Sequence, residues 1–178
     1  MIGKKIIGAL VLCLILGSPA LAQNRLNNPE FSNYPATIFV GRLMIPPYYV
    51  KSADVWRDDM GKQVAAPTVN FAGKHYVGLH SCGTECRYYT LSDLSTGKDL
   101  KALDMFSSDG EKPLKTRDGR TYITELVTRP DSAMIVARYR IDESSGHPAE
   151  CRERIFTLSS DGQKVAPITG TIKGCVSR

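Results

Sequence analysis

AMIVARYRI (Ala133–Ile141), the polar loop DESSGHPAE (Asp142–Glu150) and CRERIFTL (Cys151–Leu158) decide the class of fold. Both flanking runs are rich in β-branched and aromatic residues, and the loop between them carries Gly146 and Pro148. That is the pattern of two antiparallel strands joined by a surface connection. A pairing that sets Ile141 opposite Cys151 sets Arg140 opposite Arg152 and Arg138 opposite Arg154. Arg138, Arg140, Arg152 and Arg154 then share one face, with Met134, Val136, Phe156 and Leu158 further along it. Like charges directly opposite one another are unfavourable. Either the register differs, or Asp142, Glu143 and Glu150 compensate, or the face meets an anion. The loop is too long for its turn type to set the register. A salt-bridged solvent face is the ordinary reading of such a surface; a binding face for anionic groups is the functional one.

Outward from that hairpin the chain reads as strand and turn from Phe71 to its end. Tyr76–Leu79, Arg87–Leu91, Thr121–Thr128 and Lys164–Ile172 join Ala133–Ile141 and Arg152–Leu158 as predicted strands. Ser95-Thr96-Gly97-Lys98, Ser108-Asp109-Gly110, Arg117-Asp118-Gly119 and Ser160-Asp161-Gly162 punctuate them as turns. Before Phe71, Thr37–Val40 is a short β-prone stretch and Ala53–Ala65 has the period of a helix. Trp56, Met60 and Val64 recur every four residues, Ser52 suits the N-cap, and Pro67 stops the run. The expected fold is α+β and mainly β: an antiparallel meander sheet with one short N-terminal helix, stapled by disulfides.

The start of the chain follows the plan of a secretory signal peptide, residues 1–22. Lys4 and Lys5 precede the apolar run Ile6–Leu16, and Ala20-Leu21-Ala22 is a cleavage site of small residues. The run is too short to span a bilayer, so no membrane span is expected to be retained, and Cys13 leaves with the peptide. Residues 23–178 fit a single exported domain, periplasmic or secreted. The whole chain carries 23 basic and 18 acidic residues for a net +5; without Lys4 and Lys5 the balance is +3. So mild an excess gives no basic stripe of the kind that grips nucleic acid. The remaining cysteines, Cys82, Cys86, Cys151 and Cys175, read as two disulfides in an exported chain. Cys82–Cys86 across a Gly-containing turn and Cys151–Cys175 near the end are the favoured pairs among the three connectivities.

Asn70-Phe71-Ala72-Gly73, Tyr76, Cys82-Gly83-Thr84-Glu85-Cys86 and Asp93-Leu94-Ser95-Thr96-Gly97-Lys98 form an ordered series. It resembles a family of small exported bacterial proteins in which N-F-A-G-H-Y precedes C-G-x-x-C and then a D-x-x-T-G-K/R hairpin. The resemblance covers roughly Tyr34 to Arg178. It implies export and the fold, and no activity. This chain departs from the pattern at Gly73-Lys74-His75-Tyr76, which is one residue longer.

The densest reactive cluster is His75, His80, Cys82, Glu85 and Cys86. A structural disulfide is its ordinary reading. A metal reading would take His80, Cys82 and Cys86 as ligands for zinc or copper(I), although the second distant ligand pair of a zinc site is absent. A thiol-redox reading needs a thiolate beside a base such as His80, and the spacing is C-x3-C. No G-x-S-x-G elbow, phosphate-cradling loop or H-E-x-x-H is present. Asp58-Asp59, Asp142-Glu143 and His147 read as solvated surface. The sequence therefore points to a non-enzymatic binding or accessory protein with no cofactor. Its expected partner is another envelope or secreted protein, or an anionic envelope polymer. A metal or thiol protein is the alternative, and a cell-wall hydrolase finds no supporting residue set.

Overall fold

A computed structural model describes residues 29–83, 86–108 and 113–176. The segment expected to be a signal peptide, with Cys13, the stretch that follows it up to Asn28, Thr84 and Glu85 of the cysteine loop, and the Asp109-Gly110 part of one predicted turn lie outside the described residues. Strand dominates, and every pairing among the described residues is antiparallel. β1 (Val50–Ser52), β2 (Val55–Arg57) and β3 (Gln63–Val64) make a small sheet. β4 (His75–Gly83), β5 (Cys86–Asp93) and β6 (Lys98–Leu100) make a second. The third has β7 (Tyr122–Arg129), β8 (Ser132–Ile141), β9 (Glu150–Leu158) and β10 (Val165–Pro167) in order, with β11 (Ile172–Lys173) also on β9.

The sheets stack in three layers because successive side chains of each strand point to opposite faces. Tyr89 and Leu91 of β5 face Ile135 and Ala137 of β8 and Phe156 and Leu158 of β9, with Phe71, Leu103 and Phe106 filling the same core. Full burial of such a side chain contributes about 1.5–3 kcal/mol, so this seam holds the two larger sheets together. The opposite face of β4 and β5 packs through Tyr49, Tyr76 and Leu94 onto Trp56 and Val64 of the small sheet. The outer face of the third sheet is covered by Phe31 and Tyr34 from the N-terminal side and by Ile168 and Ile172.

Two expectations are corrected. The helix over Ala53–Ala65 is absent: the segment holds β2, a turn and β3, and among the described residues the helical elements are 3-10 turns at Phe31–Asn33 and Asp104–Phe106. Trp56 pairs with Val64 across the β2–β3 hairpin, while Met60 projects from its turn. Positive φ at Ala53 and Gly61, and the Asp58 carboxylate accepting the amides of Met60 and Lys62, hold the chain in turns instead. The second correction is register. Ile141 faces Glu150, Tyr139 faces Arg152 and Ala137 faces Arg154. The one-residue slip moves Arg138 and Arg140 to one face and leaves Arg152 and Arg154 on the other.

The six strands expected after Phe71 are present, the last divided into β10 and β11. Thr37–Val40 forms no strand. Both favoured disulfides are in place, Cys82–Cys86 with Cα atoms 5.1 Å apart and Cys151–Cys175 with 5.6 Å, within the range the bond accepts. Among the described residues no helix is long and apolar enough to cross a membrane.

Candidate functional site

Two places gather polar side chains. The first lies between the small sheet and the β4–β5 hairpin. His80, on the β4 face turned to the small sheet, places Nδ1 2.9 Å from Asp58 Oδ2. Its Nε2 lies 3.0 Å from both the Tyr49 hydroxyl and Thr90 Oγ1, which are 2.9 Å from each other. The Tyr88 ring stacks on the imidazole at 4.5 Å, and its hydroxyl donates to Asp59. Burial raises the Asp58 carboxyl, but the hydrogen bonds from His80 and from the amides of Lys62 and Met60 outweigh it and hold its pKa below the ordinary value. Burial, with Asp59 and Asp58 adding to it, pushes the Tyr88 phenol up to about 12.

The acid–imidazole–hydroxyl order is that of a nucleophile-activating relay. Here both ring nitrogens are engaged, and His80 and Asp58 are 1% and 4% exposed. Asp58, Asp59 and His80 also bring three potential metal donors within 4.8 Å of one another. Both Asp58 oxygens are already bonded inside the protein. Cys82 and Cys86 are joined to each other, so neither offers the thiolate that the metal and thiol readings required of His80, Cys82 and Cys86. The cluster is a closed internal network that fastens the small sheet to β4 and β5.

The second place is a groove of about 580 Å³ at the uncovered end of the inner face of the third sheet. β9 supplies Arg152 and Arg154 to its floor, and β7 and β8 supply Tyr122 and Tyr139. The two rings meet edge to face, 5.6 Å between centroids. Lys115, Thr116 and Arg117, from the turn that precedes β7, also line it. Lys115, Arg117 and Arg154 have no ion pair with a described residue. Arg154 donates Nε to the Thr169 carbonyl at 3.3 Å. Arg152 gives one terminal nitrogen to Glu150 at 2.6 Å, and its buried Nε finds no partner among the described residues.

Buried Arg120 braces the groove. It donates to Asp118, to the Pro148 carbonyl and to Glu150, tying the Lys115–Arg120 turn to the β8–β9 loop. Hydrogen bonds from Arg152 and Arg120 hold the Glu150 carboxyl below its ordinary pKa. Asp118 is the groove's acid, and it is committed to Thr116 and Arg120. The groove therefore stays cationic.

Of the arginines singled out from sequence, Arg152 and Arg154 come together here. Arg138 and Arg140 do not. Arg138 pairs with buried Glu153 at 2.9 Å and reaches the Val176 carbonyl, and Arg140 pairs with Glu125 at 2.7 Å. Sequence reasoning missed Lys115, Arg117, Tyr122 and Tyr139. Their signal was the basic pair flanking Thr116, just before a strand that opens with a tyrosine. It becomes legible only once the register places Tyr139 beside Arg152. No family model matches this chain, and neither a curated protein nor a solved structure matches it.

Proposed function

We propose that this is an exported, non-enzymatic binding protein, periplasmic or secreted, that recognises anionic groups through the groove over β9. One observation carries the reading. Lys115, Arg117 and Arg154 of the groove have no acid among the described residues, whereas Arg138 and Arg140 on the opposite face are neutralised internally. Guanidinium forks take carboxylate or phosphate through paired hydrogen bonds, and a concave wall focuses their field. The two disulfides suit an oxidising compartment. The same reading takes the signal-like start as a cleaved leader, residues 23–178 as one domain, and the chain as a relative of the small exported proteins it resembles. Its partner is an anionic envelope polymer or an acidic patch on an envelope or secreted protein.

The test is titration with three polyanions: polyphosphate, polyglutamate and polygalacturonate. At least one binds, its affinity falls as salt rises past physiological strength, and the double variant Lys115→Ala/Arg154→Ala abolishes most of it. Binding to none of the three, or equal binding by the double variant, overturns the proposal.

A further inference from the structure

Resting on that anion-binding reading, we propose that the groove's occupant is a saccharide chain bearing carboxylates, such as a uronate oligomer, and not an acidic peptide. The first ground is the strand that makes the floor. β9 is bonded to β8 on one side and to β10 and β11 on the other, and at the groove the amide of Tyr122 on the end strand β7 is taken by the Leu114 carbonyl, so neither strand offers a free edge there. Extended peptides are commonly held by pairing their main chain to a sheet edge. A peptide laid in this groove would bury amides with no backbone partner, which is costly. A saccharide carries its polar groups at its rim and asks nothing of a sheet edge.

The second ground is the mixture of wall types. Tyr122 and Tyr139 offer ring surface with a hydroxyl at the edge, the amphipathic body that suits a ligand apolar on one face and wet on the other. The C–H face of a pyranose has that character. Exposed Thr171 adds a hydroxyl that both donates and accepts, and the ring hydroxyls of a sugar match it. Arg152 and Arg154 stand two residues apart on one face of the strand, about 7 Å at the usual rise. Lys115 and Arg117 line the same groove. Four cations and two tyrosines lining one groove fit a chain that carries both carboxylates and stacking faces. The volume of about 580 Å³ is that of an ordinary ligand cleft.

Three probes of matched length separate the outcomes: trigalacturonate, neutral galactotriose, and an acidic peptide of three glutamates. Calorimetric titration at low and physiological salt reads the affinities. Trigalacturonate is expected to bind roughly tenfold tighter than galactotriose, the gain of a charge-assisted hydrogen bond over a neutral one, and tighter than the acidic peptide, which has the same carboxylates but buries unpartnered amides. Tyr122→Leu keeps apolar volume and removes the ring, and is expected to weaken trigalacturonate roughly two- to tenfold, the worth of an aromatic contact. A readout independent of that variant's folding is the shift of the Tyr122 and Tyr139 ring protons on adding trigalacturonate to the unmodified protein. Peptide binding as tight as trigalacturonate, or galactotriose binding as tight, overturns the saccharide assignment. If the peptide or polyphosphate binds and trigalacturonate does not, this inference fails while the anion groove stands. If no anion binds, both fall.

Discussion

The chamber around His80 and the groove over β9 hold similar side chains, tyrosines and threonines beside charged groups. In the chamber every nitrogen of the His80 ring and both oxygens of Asp58 are bonded within the protein. In the groove, Lys115, Arg117 and Arg154 have no acid among the described residues, and the buried Arg152 Nε has no acceptor there. Satisfaction, not density of reactive groups, separates an internal fastening from a surface that still has bonds to make. The catalytic look of Asp58–His80–Thr90 is therefore the weaker functional signal, although its geometry is the better ordered.

The largest effect that bears on this contrast is loss of the imidazole. His80→Ala leaves the Asp58 carboxylate buried with only two amides for company. Losing a hydrogen bond to a buried charged group costs about 1.5–3 kcal/mol. The urea midpoint should fall accordingly with an unchanged slope, while affinity of the groove for trigalacturonate stays as it was. The companion Asp58→Asn should be far less harmful in the His80→Ala background than alone, since the two act as a unit. A midpoint within error of the unmodified protein would break the comparison, because the chamber would then not be a fastening.

His75 sharpens the comparison from a third position. Its ring is buried at 4% exposure beside Gly162, and neither nitrogen makes a full-strength hydrogen bond to a described residue. Burial lowers its pKa below the ordinary 6.5, opposed by Asp93 and by the Ala72 backbone and aided by Lys74. The folded protein refuses a proton that the unfolded chain accepts. Stability is full above the ordinary histidine value, declines as pH falls through it, and levels once the lower folded pKa is passed. Asp58 and Asp93, whose carboxyls titrate below their ordinary values, add losses only at more acidic pH. The melting temperature should therefore drop between about pH 7 and pH 5, the range around the ordinary histidine value, and His75→Leu should flatten that drop. An equal drop in both proteins would place the titration elsewhere.

Much of the fold was legible in the sequence, and the failures have physical causes. Strands after Phe71 showed because β-branched and aromatic runs alternate with glycine turns that need positive φ, as at Gly97, Gly119 and Gly162. The disulfide pairs followed from an even cysteine count, the short Cys82–Cys86 spacing, and a Cys151–Cys175 bond that ties the end of the chain to an earlier strand. The Ala53–Ala65 segment misled because a hairpin whose strands pair Trp56 with Val64 places apolar residues at a spacing that a helix also produces. The arginine face misled because a single-residue slip inverts every side chain of a strand, and a long loop does not set the register. The groove was beyond reach for a different reason. It joins a turn at Lys115 to strand positions at Tyr139 and Arg152 that meet only through the β7–β8–β9 register.

The smallest expected effect is the most discriminating. Arg140 and Arg154 sit on neighbouring strands of one sheet, on opposite faces. Each substitution to alanine removes one positive charge, so any influence of net charge on an anionic ligand is the same for both. Arg140 is exposed and already engaged by Glu125, and exposed pairs of this kind contribute little to folding. Arg140→Ala should leave both the urea midpoint and the affinity for trigalacturonate unchanged. Arg154 has no acid among the described residues, lies over the Phe156 ring at 5.4 Å and lines the groove. Arg154→Ala should leave the midpoint nearly unchanged and weaken binding roughly tenfold or more, the worth of a hydrogen bond to a charged group. Raising the salt should shrink that difference, since the lost contact is partly exposed. Equal weakening by the two variants would mean that the protein's overall field attracts the anion and that the groove has no special part in holding it.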